Sequence, residues 1–128
     1  MEPSDIAIEA QGVSKLFDGN EALDEISFKV KKGEVFGFLG PNGAGKSTFI
    51  RVVLNFIKPS SGSVSIFGLD SVKDSVEVKS KLGYLAGDIS LYGQMTGAKL
   101  LKYFSTLGGV TNWKLVDEMV DKLGATLD

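Results

Sequence analysis

"GFLGPNGAGKSTFI", residues 37–50, places three glycines and a proline within Gly40–Thr48, after the apolar run Val35–Leu39 and before a second apolar stretch. A loop so poor in side chains must act through its backbone. Gly40, Pro41, Asn42, Gly43, Ala44, Gly45, Lys46 and Ser47 spell G-x-x-x-x-G-K-[ST], the pattern of a phosphate-binding loop. Glycines let successive N–H groups turn inward onto an anion, which bulkier residues would obstruct. The helix expected to start at Lys46 aims its free N–H groups and its positive dipole end at the same place, with Thr48 in that first turn. Lys46 adds a full charge toward the β- and γ-phosphates, and the Ser47 hydroxyl is a ligand suited to Mg²⁺. With average residue usage, a chain of this length contains the pattern by chance roughly one time in a hundred. Nucleotide phosphate binding by Gly40–Thr48 is therefore the first functional reading.

The rest of the chain sets bounds on that reading. Its 128 residues suit one domain with a core of its own. With 43% apolar and 23% charged residues it has the balance of a soluble globular protein. A net charge of −2 gives no basic footprint, so no nucleic-acid partner is expected. The apolar runs are far shorter than the ~20 residues of a membrane span, and the acidic start has no basic stretch of the kind that opens a signal peptide. Zero Cys fits a reducing cytosol. Zero His removes the usual general base and the commonest metal ligand.

Periodicity predicts an α/β fold. Ile6–Ala10 and Ala22–Val30 alternate like half-buried antiparallel strands, with a turn at Lys31–Glu34. Val35–Leu39 reads as a strand buried on both faces. Lys46–Ile57 has helical spacing and is closed by Pro59. Ser63–Gly68 and Gly83–Gly87 read as further strands, and Ser75–Leu82 as a short helix. Two more helices are expected, Thr96–Leu107 capped by Thr96, and Asn112–Leu123 stopped by Gly124.

"FLGPNGAGKST", preceded by "ALDEISFKVKKGEVFG", resembles the ATP-binding cassette (ABC) ATPases, the motor subunits of ABC transporters. The likeness runs from about Ile6 to the C-terminus and includes "KPSSGSVSIFGLD" and "LGYLAGDISLYGQMTGAKLLKYF". It implies a P-loop NTPase-type core with an antiparallel N-terminal β subdomain, truncated, with residues 1–95 in the core and 96–128 opening a helical subdomain. It also implies ATP and Mg²⁺ as ligands. An aromatic residue upstream of the loop stacks on adenine in that family, and Phe17 in "KLFDGNEAL" stands at the matching place. A planar ring offers an apolar face at little rotamer cost.

Departures from the family pattern matter as much. Where the family has a glutamine meeting Mg²⁺ and the attacking water, this chain has Gly87, followed by Asp88, with Gln94 farther on. No LSGGQ-like signature occurs, and no histidine is available as a switch. Leu115-Val116-Asp117-Glu118 imitates the end of a Walker B strand. However, Leu115, Val116, Met119, Val120 and Leu123 recur at helical spacing, so Asp117 and Glu118 are expected on a solvated helix face. The resemblance thus implies a chain ending inside the helical subdomain, able to bind ATP with little or no hydrolysis.

The resemblance further implies a peripheral location on the cytoplasmic face of a membrane, a transmembrane permease docking through Asp88–Thr96, and a second nucleotide-binding subunit. Ile89, Leu91, Tyr92 and Met95, mixed with glycines and one acid, suit such a patch. The alternative is a soluble ABC-type ATPase of DNA repair or translation, which the mildly acidic charge disfavours. A P-loop GTPase would show NKxD, which is absent. A kinase would show basic clamps, yet the one Arg is Arg51, inside the expected helix.

Overall fold

In the computed structural model the described residues are 5–87, 93–109 and 111–128. Strands β1 (Ile6–Phe17) and β2 (Asn20–Lys31) pair antiparallel through the two-residue turn Asp18-Gly19. Both turn residues have positive φ, 47° and 84°, the hand that matches the twist of a tight hairpin. Strand β3 (Ser61–Ile66) joins the other edge of β1, and the short β4 (Leu69–Asp70) folds back on β3. The resulting sheet is antiparallel throughout, in the order β2-β1-β3-β4. Of the five expected strands, Ile6–Ala10, Ala22–Val30 and Ser63–Gly68 are present as β1, β2 and β3, and β1 and β2 run past their expected limits to the hairpin tip.

One face of the sheet carries the core. Ala10 and Val13 of β1, Leu23 of β2, and Val64 and Ile66 of β3 are buried together. Helix α1 (Lys46–Val53) closes over them with Phe49 and Val52, and α2 (Ser75–Ser80) adds Val78. The Phe28 ring ties this core to its rim, lying 5.0 Å from Phe36 and 5.2 Å from Phe49 between ring centres. Such spacings are those of favourable aromatic pairs. The helix expected over Ser75–Leu82 is α2.

Three expectations are corrected. Helix α1 ends at Val53 rather than Ile57. Asn55 adopts φ 52°, its N–H bonds to Val52 O (2.9 Å), and Phe56 N–H bonds to Arg51 O (2.8 Å). That pair of bonds is a Schellman closure, which stops the helix before Pro59 can act. Val35–Leu39 is not a strand, and Val35 is fully exposed. Gly83–Gly87 is not a strand either. A strand exists only as part of a ladder, and among the described residues nothing pairs with either segment.

The chain divides into two compact units between Tyr84 and Leu85. The second unit contains α3 (Gly97–Gly108) and α4 (Trp113–Leu123), both where the sequence places them. The Thr96 side chain accepts from Lys99 N–H (3.4 Å) and the Asn112 side chain from Leu115 N–H (3.2 Å), so both N-caps are as expected. Gly124 ends α4 in the left-handed region, with Ala125 N–H bonded to Val120 O. Leu100, Leu101, Val116, Met119 and Val120 line an apolar groove of about 490 Å³ within this unit. Among the described residues no helix is long and apolar enough to cross a membrane.

The closure of α1 yields a stability prediction. Asn55→Val should destabilise the protein by roughly 1–2 kcal/mol, the cost of a left-handed residue with a branched Cβ. Asn55→Gly should stay within a few tenths of the parent. Urea denaturation midpoints check both, and equal midpoints for the two variants would refute the assignment.

Candidate phosphate-binding site

The loop between Gly40 and Gly45 enters α1 through Gly45, whose φ is 83°. The first bond of the helix runs from Phe49 N–H to Gly45 O (2.8 Å). The amides of Lys46, Ser47 and Thr48 precede that bond and have no partner within the helix. These three residues, with Asn42, Gly43, Gly45 and Ala22, line a cavity of about 240 Å³. A turn bond from Ala44 N–H to Pro41 O (3.2 Å) closes the loop on itself. The first turn of α1, whose amides lack partners within the helix, thus borders the cavity, and the electrostatics of a helix N-terminus favour an anion there.

Lys46 is half-buried and lines the cavity. Its Nζ donates to Gly40 O and to Pro41 O (2.6 Å for the latter), so the ammonium is anchored to the start of its own loop. Gly40 is close-fitting, since a Cβ there would come within 3.2 Å of Ala44 Cβ. Gly45 is tighter still. A Cβ at Gly45 would overlap the Ala22 carbonyl oxygen and come within 2.8 Å of Leu23 Cδ2. Pro41, Asn42, Gly43, Ala44 and Ser47 are exposed.

The donor set fits phosphates well and a metal only in part. Among the described residues no cluster of three acids could hold a cation. Ser47, the residue the sequence offers to Mg²⁺, lines the cavity. The remaining positions around such an ion would fall to phosphate oxygens and water.

Phe17 ends β1 at the hairpin tip, opposite Asn20, and is 44% exposed. It is not part of the core cluster. Ala22, a little farther along the same hairpin, lines the phosphate cavity and was not singled out by sequence. No local pattern marks it, because its part is played by a backbone carbonyl. Gly87 is exposed, as is Gln94, and Asp88 lies outside the described residues together with Ile89, Leu91 and Tyr92. Met95 is exposed. Asp117 and Glu118 are exposed on α4, a helix and not a strand end, as the spacing predicted.

The sequence model of the ABC transporter family matches residues 23–127. The Escherichia coli (strain K12) protein named "Probable multidrug ABC transporter ATP-binding protein YbhF" is 41% identical over 108 residues, 84% of this chain and 19% of that one. The ABC transporter ATP-binding protein NatA of Bacillus subtilis (strain 168) is 38% identical over 102 residues, 79% of this chain and 42% of that one. Among solved structures, cbiO1 from Clostridium perfringens, described as part of the ABC transporter complex cbiONQ, superposes with a TM-score of 0.75. It is 25% identical, and the match covers 94% of this chain and 51% of cbiO1. The chain therefore spans well under two thirds of the length of the curated relatives it matches.

The fit at Gly45 can be tested directly. Gly45→Ala should cost on the order of 2–4 kcal/mol of stability, combining left-handed strain with overpacking against β2. Gly43→Ala, with nothing within 4 Å of its Cβ, should cost only the backbone strain of roughly 1 kcal/mol. Urea denaturation of both variants measures the difference, and equal losses would show that the Ala22 contact is not limiting.

Proposed function

The chain belongs to the ABC transporter family, and from that membership and the loop geometry we propose that it is the nucleotide-binding portion of a transporter ATPase, which couples ATP binding and hydrolysis to transport. The observation that carries the reading is the phosphate cavity. Amide donors of an open helix start, an anchored Lys46 and a glycine pressed against Ala22 surround one cavity. Residues 1–95 form the ATP-binding core in this reading, and residues 96–128 the start of the helical subdomain.

Within the core, Gly40–Thr48 hold the triphosphate of ATP, and Ser47 contributes one ligand to its Mg²⁺. Phe17 is the adenine platform, a role supported by its exposure and its place outside the core. The exposed Met95 supports Asp88–Thr96 as the segment that meets a transmembrane permease. The description of cbiO1 as part of a complex agrees with a permease partner. A second nucleotide-binding subunit completes the site in the whole protein, which sits peripherally on the cytoplasmic face of the membrane.

Binding and turnover separate in this chain. Hydrolysis needs a water held in line with the γ-phosphate and a group to orient or deprotonate it. Gly87 has no side chain for that purpose, and the 128 residues contain no Walker B strand end, no signature motif and no histidine. Interactions that hold the ground state alone do not raise the rate of the chemical step.

Two measurements test the proposal. Lys46→Ala should weaken Mg-ATP binding at least tenfold, about 1.4 kcal/mol, because it removes a charge aimed at the phosphates; unchanged affinity by calorimetry would refute the phosphate site. Phosphate release by the purified 128-residue protein should stay far below a normal enzymatic rate of about 1 s⁻¹, with Lys46→Ala as the contamination control. Steady turnover at that rate, abolished in the variant, would overturn the separation of binding from hydrolysis.

A further inference from the structure

The Lys15 ammonium stands over the Phe17 ring, 5.0 Å from its centroid. The ion pairs among the described residues join Lys29 to Glu9 and Lys81 to Glu77, and neither involves Lys15. No other ring lies against Phe17 among the described residues. The charge of Lys15 is thus directed at an aromatic face rather than at a carboxylate.

The pair also has a defined position. Lys15 and Phe17 are two apart on β1 and share a sheet face. The cross-strand partner of Lys15 is Leu23, which stands on that same face. Leu23 is the side chain that a Cβ on Gly45 would meet. Lys15, Phe17 and Leu23 therefore project from the side of the hairpin against which the phosphate loop packs.

We infer that Lys15 is a positioning residue of the base site: its ammonium holds one face of the Phe17 ring and strengthens the stack of a purine on the other. A cation near a ring is attracted by the ring's quadrupole and fixes its orientation. A base stacked on the far side then meets a ring already held in place and polarised toward the cation. The inference rests on the reading of Phe17 as the adenine platform, and the test separates the two.

Calorimetry with Mg-ATP and with inorganic triphosphate plus Mg²⁺ is to be run on the parent, Lys15→Met, Lys15→Arg, Phe17→Ala and the Lys15→Met/Phe17→Ala double variant. Lys15→Met keeps the apolar stem and should weaken ATP binding about twofold to fivefold, with triphosphate binding unchanged. Lys15→Arg should retain ATP affinity, and Lys15→Met should add no loss once Phe17 is Ala. Equal losses of ATP and triphosphate in Lys15→Met would overturn the inference, because the charge would then be felt by the phosphates. Additive losses in the double variant would overturn it as well. Selective loss of ATP in Phe17→Ala with none in Lys15→Met would sink the Lys15 role alone. If Phe17→Ala weakens both ligands alike, the platform reading fails and the Lys15 role fails with it.

Discussion

The carbonyl of Ala22 presses into the space where any residue but glycine would carry a Cβ at position 45. This contact joins the antiparallel sheet to the phosphate loop, and the rest of the first unit is arranged around it. It arises from a register change in the hairpin. Lys15 pairs with Leu23 but Leu16 pairs with Glu21, so Ala22 is an extra residue on β2. Bulges of this kind re-aim the local backbone. A second irregularity lies close by, where Glu25 takes φ 43° and its N–H bonds to the buried Ser14 hydroxyl (2.9 Å). Leu23, between the two, remains in the core while its neighbour's carbonyl faces the loop.

Once the loop is braced in this way, its chemistry follows from donors and charge. The amides of Lys46, Ser47 and Thr48 come before the first bond of α1, and the helix is held by Phe49 and Val52 in the core. Burial of those two side chains orients the helix N-terminus, so the packing energy of the core fixes where the donors aim. Lys46, which lines the cavity, keeps its ammonium on the carbonyls of Gly40 and Pro41. The result favours an anion.

Much of this was legible in residues 37–50, because a phosphate loop is a local device. Its spacing states which residue must lack a side chain, which must carry charge and where a helix must begin. The caps of α3 and α4 were legible for the same reason, since Thr96, Asn112 and Gly124 satisfy backbone groups within one turn of themselves. The end of α1 was not. Pro59 is a strong stop, but Asn55 stops the helix sooner by adopting a left-handed conformation that Asn tolerates and its letter does not announce.

The sequence by itself determined the local chemistry: the anion cradle, the helix starts, and the helical spacing that puts Phe49 and Val52 on one apolar face. Only the tertiary structure decided which apolar runs became strands. Val35–Leu39 is as apolar as any strand interior, yet it stays outside the sheet because a strand is defined by the backbone beside it. Likewise Ala22 and Lys15 look unremarkable along the chain. They matter because β2 gains a residue on β1, which turns one carbonyl onto Gly45, and because the hairpin sets an ammonium over an aromatic ring. Contacts between residues distant in sequence depend on register, and register is settled only when the strands meet.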